Sequence, residues 1–364
     1  MAGGGGYRKA PGCSSYIPGT RPSVRSSQLL LSTGVPALDV LLAGGLPVGS
    51  LILLEEDIDQ MYAPYLLRYF LAEGVMSAHA LLHSTPMKDE EYFKNLPGLE
   101  KESNLGGATD DVSSANVEEL KIAWRYEGVG KVQPSLTGSS KASSSAHGFD
   151  LSAKISQELL ANCQTHELLP SPSPSYAGLF DQLLNIVQKP EFTLDATAAA
   201  THRHDATTRN LLRLALSSIG SPLYGCASEL PKFFLLLKTA MRQHVASAMV
   251  TCPAHLLSGS VLSRVRRHCD AVFGLQSFAG TELEQNPALS AYHGFFRVLK
   301  LPCVHSLTCH IPDSLDLAFK LKRNRFSIER LHLPPDLSEA EQLRNPAAGQ
   351  SACQQALKSA NLEF

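Results

Sequence analysis

Charge is scarce in this sequence. Charged residues make up 18% of its 364 positions, against roughly 25% in an ordinary soluble domain. A free monomer of this size usually carries more. Long apolar runs are missing too. No stretch approaches the roughly 18 uncharged residues a spanning helix needs, and the run at 233–237 is closed by Lys238. No membrane association is expected. Nor is there an excess of one sign: 32 Lys and Arg meet 34 Asp and Glu, a formal net charge of -2. That balance excludes a globally basic nucleic-acid protein and leaves room only for a local patch. The 8 cysteines contain no C-x-x-C pair, which points to reduced thiols in a reducing compartment. Acids are absent up to Leu38, but Gly3 to Gly6, Pro11, Pro18 and Pro22 argue against the amphipathic helix of a transit peptide.

The 44% of hydrophobic residues suffices for a large core. Residues 1–27 read as a flexible basic tail, 99–150 as a partly disordered insertion and 334–364 as a flexible C-terminal tail. Inside the insertion, the strand-like run 120–126 holds the single tryptophan, Trp124, and Tyr126. The body, 28–333, alternates. Strands are expected at 51–54, 78–82, 211–218, 247–251 and 271–275. Helices are expected at 63–73, 180–188, 230–245 and 260–268, with Gly74 ending the first and Leu236 on the buried side of the third. Residues 292–300 and 317–331 look like antiparallel hairpins. The fold class is α/β, with a mostly parallel central sheet flanked by helices and C-terminal antiparallel hairpins.

One stretch is informative: Ser32, Thr33 and Gly34, then Leu38 with Asp39, Leu41 with Leu42, Gly44-Gly45-Leu46-Pro47 and Gly49, leading into the apolar run at 51–54. This pattern resembles the entry to a RecA-like ATPase core of the KaiC type. In that family a phosphate loop, G-x-x-x-x-G-K-S/T, follows the strand. Its glycines bring backbone N–H groups to phosphate, its Lys neutralises charge and its Ser or Thr holds magnesium. Here Glu56, Asp59 and Met61 stand at glycine positions, Tyr62 replaces the Lys and Ala63 the Ser or Thr. Four carboxylates, Glu55, Glu56, Asp57 and Asp59, face the place of a polyanion. Like charges about 4 Å apart repel by a few kcal/mol near a surface. Ser217 stands where a magnesium- and water-orienting carboxylate is needed, and His83 to Pro86 offer no general base. Self-contained ATP hydrolysis is not expected.

The degenerate loop, the turn from Ser218 to Gly225, the run from Ile122 to Tyr126, the element from His147 to Leu151 and the ending Leu362-Glu363-Phe364 together resemble the Elongator subunit 4 family. The resemblance covers residues 30–333. It implies a RecA-like, non-catalytic accessory subunit with no cofactor of its own, ATP being left to the assembled ring. The implied partners are sister subunits 5 and 6 in a hetero-hexameric ring, the catalytic Elongator subunits 1, 2 and 3, and tRNA. The ring would bind tRNA and support carboxymethyl-type modification of its wobble uridine, in cytoplasm and nucleus.

Basic clusters are the candidate RNA contacts, since phosphate needs Lys or Arg. Arg264, Arg266 and Arg267 form the densest, with Arg264 and Arg266 also candidates to act in trans on a neighbour's nucleotide. Arg203, between His202 and His204, forms a second; Lys320, Lys322, Arg323 and Arg325 form a third. Solvated surface or subunit contact is the competing reading of each. Cys303, His305, Cys309 and His310 lack zinc-ligand spacing. Trp124 and Tyr126 read as packing residues before base-stacking ones. Two other functions stay open from sequence: an active RecA-like ATPase with an atypical loop, and a DNA-recombination paralogue.

Overall fold

The computed structural model describes residues 17–23, 28–85, 91–100, 147–168, 175–193, 209–304, 310–312 and 314–331. Arg203, Trp124, Tyr126 and residues 334–364 lie outside them, as do residues 1–16 and 24–27 of the N-terminal tail and most of the 99–150 segment.

The elements run β1 (Thr20–Pro22), β2 (Leu29–Leu31), α1 (Pro36–Leu41), β3 (Leu46–Pro47), β4 (Leu51–Glu55), α2 (Ala63–Met76), β5 (Ala80–Ser84), β6 (Pro97–Leu99) and β7 (Phe149–Lys154). Then come α3 (Gln157–Ala161), β8 (Thr165–Leu168), α4 (Tyr176–Val187), β9 (Leu212–Leu216), α5 (Leu230–Gln243) and β10 (Ala246–Cys252). The chain continues through α6 (Gly259–His268), β11 (Ala271–Ser277), β12 (Gly294–Lys300), β13 (Leu317–Leu321) and β14 (Phe326–Arg330).

One nine-stranded sheet dominates, in the order β14-β13-β12-β11-β4-β10-β9-β5-β8. From β11 to β8 every neighbouring pair is parallel, and β11 to β14 are antiparallel. The strand period of two explains the apolar runs. Ile52 and Leu54 of β4 enter a core with Phe70 of α2, while Leu51 and Leu53 enter the opposite core with Phe233 and Leu237 of α5. Both faces are covered, so a central strand can be apolar throughout. Each buried Leu contributes about 1.5–3 kcal/mol. Among the described residues no helix is long and apolar enough to cross a membrane.

Three details differ from the sequence reading. Gly74 does not end α2, which continues to Met76. A Cβ there would lie 2.5 Å from Leu81 Cδ2 and 2.8 Å from Arg213 Cδ, so the glycine admits a close neighbour inside the helix. Leu236 faces outward from α5, 36% exposed, while Phe233, Leu237, Ala240 and Met241 are buried. The two ends of the 99–150 segment are structured: β6 and β7 pair antiparallel, with Leu99 opposite Phe149 and Gly98 opposite Asp150.

The chain leaves β4 toward α2 on one face and β10 toward α6 on the other. Neighbouring strands whose exits diverge open a crevice at their carboxyl ends. The altered loop stands there.

Candidate functional site

Glu55 ends β4, and its carboxylate meets the Arg266 guanidinium in a two-pronged ion pair, Nε–Oε1 2.5 Å and Nη2–Oε2 2.8 Å. Such forks are among the stronger polar contacts. Glu56 is buried; its Oε1 accepts from Ser218 Oγ at 2.9 Å, and Thr251 lies beside it. Burial raises its pKa, and Asp57 adds to the rise. Ser218 takes a φ of 52° to reach this position. Asp57 accepts from the backbone N–H groups of Met61 (3.0 Å) and Tyr62 (3.2 Å), just ahead of α2. Donors at the start of that helix would be a phosphate's natural partners; here a side chain takes two of them.

Tyr62, at the lysine position, turns inward. Its ring sits 4.7 Å from Phe319 and 6.0 Å from His293, and burial raises its pKa. Ala63 is buried at the start of α2. Ser217 donates its backbone N–H to Ser84 O at 2.8 Å. Asp59 projects into solvent between Ile58 and Met61, which are 75% and 57% exposed. The acids are thus not four bare charges: Glu55 is answered by Arg266, Glu56 is buried against hydroxyls and Asp57 holds backbone donors. Only Asp59 stands as a solvent-facing carboxylate. The cradle is occupied by the protein's own groups.

The arginine cluster divides. At about 100° per residue, Arg266 points away from Arg264. Arg266 reaches the crevice, and Arg264 and Arg267 are exposed on the outside of α6. Arg266→Ala and Glu55→Gln are each expected to cost about 1–3 kcal/mol. Thermal unfolding of both single variants and the double variant should give a coupled, sub-additive loss. Full additivity would refute the pairing.

A buried charge network went unread in the sequence. Arg213 of β9 is fully buried; Nε donates to His79 Nδ1 (3.0 Å) and Nη1 to Ser32 O (2.7 Å) and Phe70 O (3.0 Å). Its guanidinium lies 4.8 Å from the centre of the Phe70 ring. Glu73 and Asp39 are the acids that favour its charged form. Asp39 ties down the opening motif: it accepts from Ser32 Oγ (2.6 Å), Thr33 N (2.8 Å) and Thr33 Oγ1 (2.7 Å), and burial raises its pKa to about 6. Glu73 accepts from the His147 backbone at 3.1 Å and bonds its Nδ1 at 2.9 Å, which raises the histidine's pKa. The available signal was an arginine inside an otherwise apolar strand.

His83 stacks on Tyr92, with ring centres 3.5 Å apart and 8° between planes. Burial and Arg68 lower its pKa to about 3, so the ring is neutral. Among the described residues no group of three or more His, Cys, Asp or Glu is placed to hold a metal. His305 and Cys309 lie outside the described residues.

Comparison with known proteins adds a family. The family model described as PAXNEB protein matches residues 14–364. Elongator complex protein 4 of Mus musculus is 41% identical over 349 residues, covering 89% of this chain and 81% of the relative. The Homo sapiens protein of that name is 38% identical over 354 residues, with the same coverages of 89% and 81%. The Schizosaccharomyces pombe protein is 30% identical over 346 residues, covering 87% and 88%.

Proposed function

Because the chain belongs to the PAXNEB family, alongside the Elongator complex protein 4 sequences, we propose that it is a non-catalytic accessory subunit of Elongator. In this reading its core is RecA-like, and the order β11-β4-β10-β9-β5 supports it. The subunit assembles with sister subunits 5 and 6 into a hetero-hexameric ring. The ring binds tRNA and supports carboxymethyl-type modification of the wobble uridine, whose chemistry belongs to catalytic subunits 1, 2 and 3. Cytoplasm and nucleus are its proposed locations. Any ATP is handled by the assembled ring.

The observation that carries the non-catalytic reading is the filled loop after β4: Arg266 on Glu55, Asp57 on two backbone donors and Tyr62 packed inward. An incoming triphosphate would have to displace all three. Calorimetric titration of the purified chain with magnesium and ATP is expected to give no binding at micromolar concentration. The Tyr62→Lys, Ala63→Thr double variant should not create binding, because the acids and the lost glycines remain. Micromolar ATP binding that disappears on Glu56 or Tyr62 substitution would overturn the reading. Co-purification from cells with Elongator subunits, and tRNA binding by that assembly, test the rest.

A further inference from the structure

We propose that the face formed by α5 and α6 is a docking surface for an acidic, leucine-bearing segment of a partner protein. From residue 230 to residue 269 the chain contains no Asp or Glu, although the whole sequence is close to neutral. The two helices pack side by side, so their positive charges share one surface. Arg264 and Arg267 are exposed on α6. Lys238 and Arg242 of α5 are partly exposed beside it.

The carboxylate beneath them, Asp270, is buried and committed. It accepts from Leu51 N at 3.0 Å and from Arg242 at 2.7 Å, with Lys238 at 3.2 Å. One carboxylate cannot balance these cations, and Lys300 of β12 adds another where its ammonium donates to Arg267 O at 3.3 Å. Burial lowers the pKa of His268, and the cations Lys238, Arg264, Arg267 and Lys300 add to the fall. The cations crowd one another, and an anionic partner relieves that repulsion.

The apolar part of the surface decides between a protein and a nucleic acid. Leu235 is 47% exposed, about one turn before Lys238 and two turns before Arg242 on the same side of α5. Neither helix exposes an aromatic ring for a base to stack on, since Phe233 and Phe234 are buried. A phosphate backbone gains little from an exposed leucine. An amphipathic acidic segment gains from both, with apolar anchors at the centre and charge at the rim.

In the cell this rests on the chain being an assembly subunit, but the test needs only the purified full chain. A short labelled peptide with Glu and Leu at helical spacing is titrated by fluorescence anisotropy, beside polyglutamate and an oligouridylate of equal charge. The Glu/Leu peptide is expected to bind tightest. Arg264→Glu with Arg267→Glu should weaken it about tenfold or more, and Leu235→Ser about threefold or more. Thermal unfolding checks that the variants fold, and the Arg264→Gln, Arg267→Gln pair replaces the Glu pair if it does not. No peptide binding, or binding indifferent to the arginine pair or to Leu235→Ser, overturns the proposal. So does oligouridylate binding as tightly and ignoring Leu235→Ser, which makes the face a nucleic-acid surface. Failure of the Elongator reading would appear separately, as absent co-purification with peptide binding intact.

Discussion

Arg213→Met is expected to destabilise the protein by about 3–5 kcal/mol, the cost of breaking a buried charge network and leaving its acceptors unpaired. The side chain is fully buried, and its loss orphans acceptors on His79, Ser32 and Phe70 while Glu73, itself 2% exposed, loses a facing charge. Denaturant unfolding should show the midpoint falling with an unchanged slope. Arg213→Lys keeps the charge but not the fork, so it should recover less than half the loss. Glu73→Gln added to Arg213→Met should cost less than the two single losses together, because both changes act on one charge network. A loss under about 1 kcal/mol for Arg213→Met would mean the network carries no stability.

His83→Phe should change how stability depends on pH. In the folded chain burial holds this imidazole's pKa at about 3, far below its ordinary 6.5. Between those values the unfolded chain binds a proton that the folded chain refuses. Stability from the neutral ring is therefore complete above about pH 6.5 and falls as pH drops, by about 1.4 kcal/mol per pH unit. Phenylalanine can keep the stack on Tyr92, and it removes Nε2, a buried atom with no hydrogen-bond partner. Relative to the parent, the variant should gain about 2 kcal/mol on going from pH 7.5 to pH 5. His79, also lowered to about 3, acts in the same direction in both proteins. Asp39 acts oppositely: raised from 3.8 to about 6, it makes the folded state the better proton binder in that window. The comparison of variant with parent isolates His83 from both. Denaturant midpoints at pH 7.5, 6 and 5 provide the measurement, and a constant difference between the two proteins would sink it.

Much of the architecture is legible in the sequence because central strands and amphipathic helices carry their periods openly. The run from Leu51 to Leu54 is apolar at every position because both faces of β4 are covered, and α5 shows its buried stripe at helical spacing. What local pattern cannot show is partnership across the chain. Gly74 looks like a helix stop until Arg213, 139 positions away, is seen to need the space. The acids after β4 look mutually repulsive until Arg266 is seen to reach Glu55. Three arginines in four positions look like one patch, yet helix geometry sends one to the crevice and two to the surface. The pairing of β6 with β7 escapes notice because β6 has 3 residues and β7, though 6 long, buries only Phe149.

That pairing also bears on how the chain tolerates change. Residues 101–146 leave and re-enter the described structure at one clasp, where Glu100 N bonds Gly148 O at 2.9 Å and His147 is fastened to Glu73. With both ends anchored, closing the chain between them costs about 0.6 kcal/mol more for each doubling of its length. Both jaws belong to the β6–β7 pair, so backbone pairing sets the points where the chain departs and returns. The returning jaw also carries His147 onto Glu73, so the point of re-entry is tied to the buried network around Arg213.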